Sequence, residues 1–234
     1  MPRLPRQSKW TESACYHVFN RGHNRQAVFA DDEDCAYFRT LLERYRTRFG
    51  LRLYHYCLMG NHFHLLLQMD EPRLLSRMMA GLMVAYAHHY HRRYEYVGHL
   101  WQGRFKSPAV ERDAYLLSCG RYIERNPLEA GLVAKPWEYA WSSCRHYVLG
   151  RADDLLTENP CFMELAKTAE RRQQLWREFL LDGDPKEDEV RRVEGVLGGE
   201  AFQHRLGEFR SRTVRSRYGR PRKEARATTV KSQT

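Results

Sequence analysis

Residues 51–69 constrain the fold more than any other stretch. They read LRLYHYCLM, then Gly60-Asn61, then HFHLLLQM. Two strand-forming runs separated by a glycine-containing dipeptide predict a β-hairpin. Side chains alternate faces along a strand. His62 and His64 therefore share one face, while Phe63, Leu65, Leu67 and Met69 occupy the other, apolar face. That apolar face needs a covering layer, and helical patterns lie on either side of the hairpin.

The helix before it is DDEDCAYFRTLLERYRTRFG (31–50), with acidic residues at its start, an apolar stripe of Phe38, Leu41, Leu42 and Tyr45, and Gly50 at its stop. The helix after it is amphipathic and spans 74–94. YHVFNRG (16–22) reads as a first strand. HLWQGRFKSPAVER (99–112) reads as extended, with Pro108 marking an edge or a break. Asp113 is placed to cap a helix running to Asn126, which Pro127 limits. Strand, helix, strand, strand, helix, strand is the order of an α+β ferredoxin-like sandwich with a central antiparallel sheet, and the hairpin strands are expected at its centre. Residues 137–150 add a short helix. The expected organisation is a domain at 1–150, a charged helical appendage at 151–211 and a basic, disordered tail at 212–234.

The chain carries a formal net charge of +10, but residues 201–234 hold ten Lys or Arg against two Glu. A basic tail on a nearly neutral body suggests an anionic polymer as partner; a solvated tail serving solubility is the alternative. No run of eighteen apolar residues predicts a membrane span, and the first ten residues lack the apolar core of a signal peptide. The six cysteines form no Cys-x-x-Cys pair, which points to buried, reduced thiols in a cytoplasmic protein; a DNA partner would make it nucleoid-associated.

His-x-His alone is weak among eleven histidines. The chain holds its own control in His89-Tyr90-His91. That pair falls in a helical pattern, where residues two apart do not face each other. His62 and His64 gain meaning from the predicted strand and from the helix at 113–126, where Tyr122 and Asn126 lie four apart on one face. If that face meets the histidines, His62, His64 and Asn126 could hold a divalent metal beside a tyrosine hydroxyl. Such a set suits phosphodiester transesterification: the metal polarises a phosphate oxygen and the tyrosine attacks phosphorus. Against this, most of the fourteen tyrosines are packing residues, and Asn126 before Pro127 could simply end a helix.

Three separated motifs then coincide: YCLMGNHFHLLLQ, GHLWQGRFK, and RYIERNPLEAGLV followed by WSS. Over about residues 10–150 they resemble the REP-associated tyrosine transposases, single-tyrosine members of the HUH endonuclease superfamily related to insertion-sequence transposases. The resemblance implies that His62 and His64 bind the metal, that Asn126 is the third ligand and that Tyr122 is the nucleophile. It further implies cleavage of single-stranded DNA at palindromic hairpins, a 5′-phosphotyrosine intermediate, and Mg²⁺ or Mn²⁺. Many relatives carry Pro where this chain has Gly60. A non-catalytic nucleic-acid-binding module, a water-using metal nuclease and a replication or conjugation initiator of the same superfamily are the alternatives. A monomer and a homodimer both remain open.

Two further segments suit DNA. Trp101 to Lys106 interleaves aromatics with cations, so Trp101, Arg104 and Lys106 could stack on bases and contact phosphates, or form a core strand with exposed cations. Arg21, Asn24 and Arg25 follow the first strand as a polar loop able to contact DNA. In the tail, Arg220, Arg222 and Lys223 surround a Gly-Arg-Pro triplet of the kind that enters an A·T-rich minor groove.

Overall fold

The computed structural model describes residues 15–112, 114–182 and 196–197. The strands are β1 Cys15–Arg21, β2 Leu51–Met59, β3 His62–Met69, β4 Ala109–Val110 and β5 Val196–Leu197. The helices are α1 Asp32–Phe49, α2 Leu75–Tyr94, α3 Ala114–Glu129, α4 Cys144–Leu149, α5 Pro160–Met163 and α6 Ala169–Leu181. The sheet order is β2-β3-β1-β4-β5, antiparallel except for the β4–β5 pair. The first four strands with α1 and α2 form the ferredoxin-like α+β sandwich expected from the element order.

Within that order the expectation of two central hairpin strands is half right. β3 and β1 are central, whereas β2 lies at the edge. Its outer edge is nonetheless hydrogen-bonded. Leu58 N donates to the Trp141 carbonyl at 2.9 Å, Ser143 N to the Tyr56 carbonyl at 3.0 Å, and Thr157 N to the Leu53 carbonyl at 2.7 Å. A covered edge removes the exposed ladder that would otherwise template pairing with another chain.

The two sheet faces bury different helices. Phe63, Leu65, Leu67 and Met69 of β3 pack with Tyr16 and Val18 of β1, Phe38 and Leu42 of α1, and Met79, Leu82 and Tyr86 of α2. Leu66 of β3 and Cys57 and Met59 of β2 face the other way, against Leu116, Cys119 and Ile123 of α3. A β-bulge between Leu53 and His55 shifts the phase of β2. Leu51 and Leu53 point into the α1–α2 layer before it, and Tyr56 and Leu58 do so after it. The extra residue turns His55 toward α3, where its Nδ1 meets the Glu124 carboxylate at 2.8 Å.

Helix ends follow local chemistry. Asp31 caps α1 by accepting from Asp34 N at 3.1 Å, and Gly50 closes it at φ +62°. Asp113 lies outside the described residues. α3 does not stop at Asn126 but carries Pro127 within it. A proline removes its own amide donor and its ring crowds the carbonyl four residues back, but the amides beyond it can still bond. The backbone continues through Ala130 N to the Asn126 carbonyl at 2.9 Å and Leu132 N to the Pro127 carbonyl at 2.9 Å, and turns out at Gly131, φ +69°. The extended segment 99–112 tracks β1 in pieces. Gly22 bridges to Trp101 and Phe19 to Lys106, with Gly103 at φ +71° between them, and β4 begins after Pro108.

α4, α5 and α6 share a third buried cluster of Tyr147, Phe162, Trp176 and Leu180. It is tied to α3 through Glu124, whose carboxylate also accepts from Ser143 Oγ at 2.6 Å and Trp176 Nε1 at 2.9 Å. With His55, this buried carboxyl group has three hydrogen-bond partners, as a buried polar group requires. All six cysteines are buried and free. Among the described residues no helix is long and apolar enough to cross a membrane.

Candidate active site

His62 and His64 stand side by side on β3, ring centroids 5.0 Å apart and nearly perpendicular. On neighbouring β1, Arg21 pairs with His62 and Phe19 with His64, so Arg21, Phe19 and His17 share the histidine face. α3 crosses this face. Tyr122 presents its ring edge-on to His64, at 5.6 Å between centroids, and to His17, at 5.9 Å. The tyrosine is half-buried against the α3-side core. One turn on, the Asn126 side-chain amide donates to the Tyr122 carbonyl at 2.7 Å. The same side chain is also a hydrogen-bond partner of His62. Four residues from two elements, read separately from the sequence, are thus brought together.

The control pair behaves differently. His89 stacks on Tyr37 at 3.8 Å, while His91 lies against Tyr96, and the two do not converge.

Burial sets the charge state of the site. It pushes His17 down to about 3 and His64 well below the usual histidine value, with His17 and His62 adding to the effect on His64. His62 is also lowered, by burial first, with Asn126 opposing and Arg21 assisting. Neutral imidazoles keep a lone pair for a cation. His62 Nδ1 lies 2.6 Å from Asn61 Oδ1, and His64 Nδ1 lies 2.9 Å from His17 Nε2. In both rings Nδ1 is engaged and Nε2 is the other donor atom. Among the described residues no group of three or more His, Cys, Asp or Glu could hold a metal. The candidate set therefore has no carboxylate: two imidazole nitrogens and the Asn126 oxygen, which suits a divalent cation that also takes a substrate oxygen.

The cations flank this site unevenly. The Arg21 guanidinium is hydrogen-bonded to Gln102 at the open end of β1. Lys106 Nζ is 5.9 Å from the centroid of Phe19, which itself lies 5.6 Å from His64. Asn24 and Arg25 are exposed and both left-handed, at φ 50° and 60°. Their loop is latched to the hairpin turn: Asn61 Nδ2 donates to the Arg25 carbonyl at 3.3 Å and Gly22 N to the Asn61 carbonyl at 2.8 Å. A Cβ on Gly22 would come within 2.2 Å of the Gln26 carbonyl oxygen, so the turn requires glycine. Arg104 is exposed beside Gly103. Trp101 is not with the others. Its indole packs on Phe63 at 5.6 Å and donates to the Met83 carbonyl at 3.1 Å, on the α1–α2 side of the sheet. The core alternative describes it. Arg220, Arg222 and Lys223 lie outside the described residues.

His17 escaped sequence reading. Its signal was available in part, because a period of two from a central β1 strand places it on one face. Which face, and beside which histidine, depends on register with β3.

The family model for IS200-like transposases matches residues 11–126. Among solved structures, a REP-associated tyrosine transposase bound to a REP hairpin superposes with a TM-score of 0.54 at 15% identity, covering 67% of this chain and 94% of that one. A candidate transposase from Deinococcus radiodurans R1 matches at 20% identity over 48% of this chain and 88% of that one, with a TM-score of 0.37, too low to bear on the fold. No curated protein matches. The family span runs from just before β1 to Asn126 and so contains both site histidines, His17 and Tyr122; the chain belongs to the IS200-like transposase family.

Proposed function

We propose that this protein is a single-stranded DNA nickase and strand transferase that acts at palindromic hairpins through a covalent bond between Tyr122 and DNA. The observation that carries this reading is the meeting of Tyr122 and Asn126 on α3 with His64 and His62 on β3. Membership of a transposase family supports DNA as substrate. The hairpin is suggested by the REP hairpin bound to the solved transposase of the same fold.

The Tyr122 hydroxyl attacks phosphorus and loses its proton. A tyrosine–phosphorus bond forms, the bond from phosphorus to the 3′ oxygen breaks, and that oxygen departs protonated as a 3′-hydroxyl. The 5′-phosphate stays on Tyr122. Reversal by another 3′-hydroxyl joins strands without ATP, since one phosphodiester replaces another. His62, His64 and Asn126 would hold Mg²⁺ or Mn²⁺, which supplies charge neutralisation at a non-bridging phosphate oxygen. Arg21 and Lys106 beside the histidines, with Arg25, Asn24 and Arg104 at the loop tips, hold the flanking phosphates. Asn126 has a second task, since its bond to the Tyr122 carbonyl stiffens the turn that bears the nucleophile.

The test is incubation with Mn²⁺ and a hairpin oligonucleotide carrying a single-stranded flank, followed by denaturing electrophoresis. A protein–DNA adduct is expected, and Tyr122→Phe is expected to lose it by a factor of 10³ or more, as for removal of a nucleophile (~10³–10⁶). Cleavage that survives Tyr122→Phe without an adduct would assign the reaction to water instead. Binding with no cleavage under any divalent metal would leave a recognition module.

A further inference from the structure

His17 lies in β1, buried, with no direct part in the chemistry above. Its Nε2 is 2.9 Å from His64 Nδ1, and the two rings stack at 5.0 Å with 28° between planes. Both side chains are about 5% exposed or less, so water does not compete for the contact. A pair of neutral imidazoles sharing one hydrogen bond has two arrangements. In one, His64 donates from Nδ1 and keeps a lone pair on Nε2. In the other, His17 donates, and the proton of His64 sits on Nε2, where it blocks a cation. The neighbouring ring shows how the first arrangement would serve a cation. His62 Nδ1 faces Asn61 Oδ1 at 2.6 Å, an atom that only accepts, so His62 carries its proton on Nδ1. If His64 does the same, the adjacent rings offer matched Nε2 nitrogens.

We propose that His17 is a positioning residue: by accepting the Nδ1 proton of His64 it fixes that ring's orientation and tautomer, readying Nε2 for a divalent cation. This rests on His64 being a metal ligand. Hydrogen bonding to the distal nitrogen of a ligating histidine orients the ring, and its loss typically costs about 10–100-fold in metal affinity. Phe19, tilted against both imidazoles at 4.9 and 5.6 Å, packs on the pair from the side.

Two measurements test it on the full chain. Nitrogen-15 NMR of the metal-free protein reports the tautomer of each histidine. His64 is expected to be protonated on Nδ1, and protonation on Nε2 overturns the proposal even if no variant folds. Mn²⁺ binding by electron paramagnetic resonance is then compared in wild type, His64→Ala, His17→Phe and His17→Gln, each checked by circular dichroism. Wild type should show a site that His64→Ala removes. His17→Phe should weaken it about tenfold or more, and His17→Gln, which restores an acceptor, should recover most of the loss. No His64-dependent site in wild type overturns the metal reading itself. A site present in wild type and equally tight in His17→Phe overturns only the role of His17. Glutamine performing no better than phenylalanine also overturns it.

Discussion

His17 and His64 are held neutral because folding takes both rings out of water without offering either an acid. A histidine whose value falls from 6.5 to about 3 binds a proton in the unfolded chain before it does so in the folded one. Its neutral form therefore contributes stability that is complete above pH 6.5 and is lost as pH falls through that value toward 3. Within this window wild type should gain up to about 1.4 kcal/mol of unfolding free energy per pH unit from His17 alone. Urea unfolding of wild type and His17→Phe from pH 4 to 7 checks this: the wild-type curve should be the steeper. Parallel curves would mean that His17 is not buried neutral. Tyr122 and Asn126 were legible as a pair because helical spacing is local. Their partnership with His62 was not, since it needs α3 to lie across β3.

At the scale of elements, the placement of α3 depends on Gly120. A Cβ there would come within 2.7 Å of His55 Nε2. The His55 ring cannot swing away, being held by Glu124 at 2.8 Å and by Asn159 at 2.9 Å. Gly120→Ala should therefore destabilise the protein by about 1–3 kcal/mol, as overpacking does, rather than stabilise the helix by its better propensity. Chemical denaturation decides the sign, and a gain in stability would show that β2 and α3 adjust freely. The lengths of α1, β2, β3 and α2 were readable from periodicity and from caps such as Asp31 and Gly50, because those signals lie within a few residues of the ends they mark. The bulge at Leu53/His55 and the passage of α3 through Pro127 were not. The bulge answers to a remote residue, Glu124, and the passage through Pro127 to backbone bonds that resume just beyond it at Ala130 and Leu132, which a proline taken as a stop conceals.

At the scale of the molecule, charge is distributed against the site. Most of the +10 lies in the last 34 residues, while the site relies on a few cations such as Arg21 and Lys106. We infer that the C-terminal stretch adds duplex affinity of low sequence specificity. Deleting residues 212–234 should weaken DNA binding and flatten the dependence of log K on log salt by about 0.7–0.9 for each phosphate that the tail neutralises. Titrations at several salt concentrations check this, and an unchanged slope would remove the tail from DNA binding. The sequence by itself determined the order of strands and helices, the shared face of His62 and His64 and the shared face of Tyr122 and Asn126, because each follows from backbone periodicity over a few residues. Only the tertiary structure decided that β2 is the edge, that Trp101 belongs to the core and that His17 stands against His64. Those depend on strand register and on which helix covers which face, properties settled by packing between residues far apart in the chain, 47 positions in the case of His17 and His64.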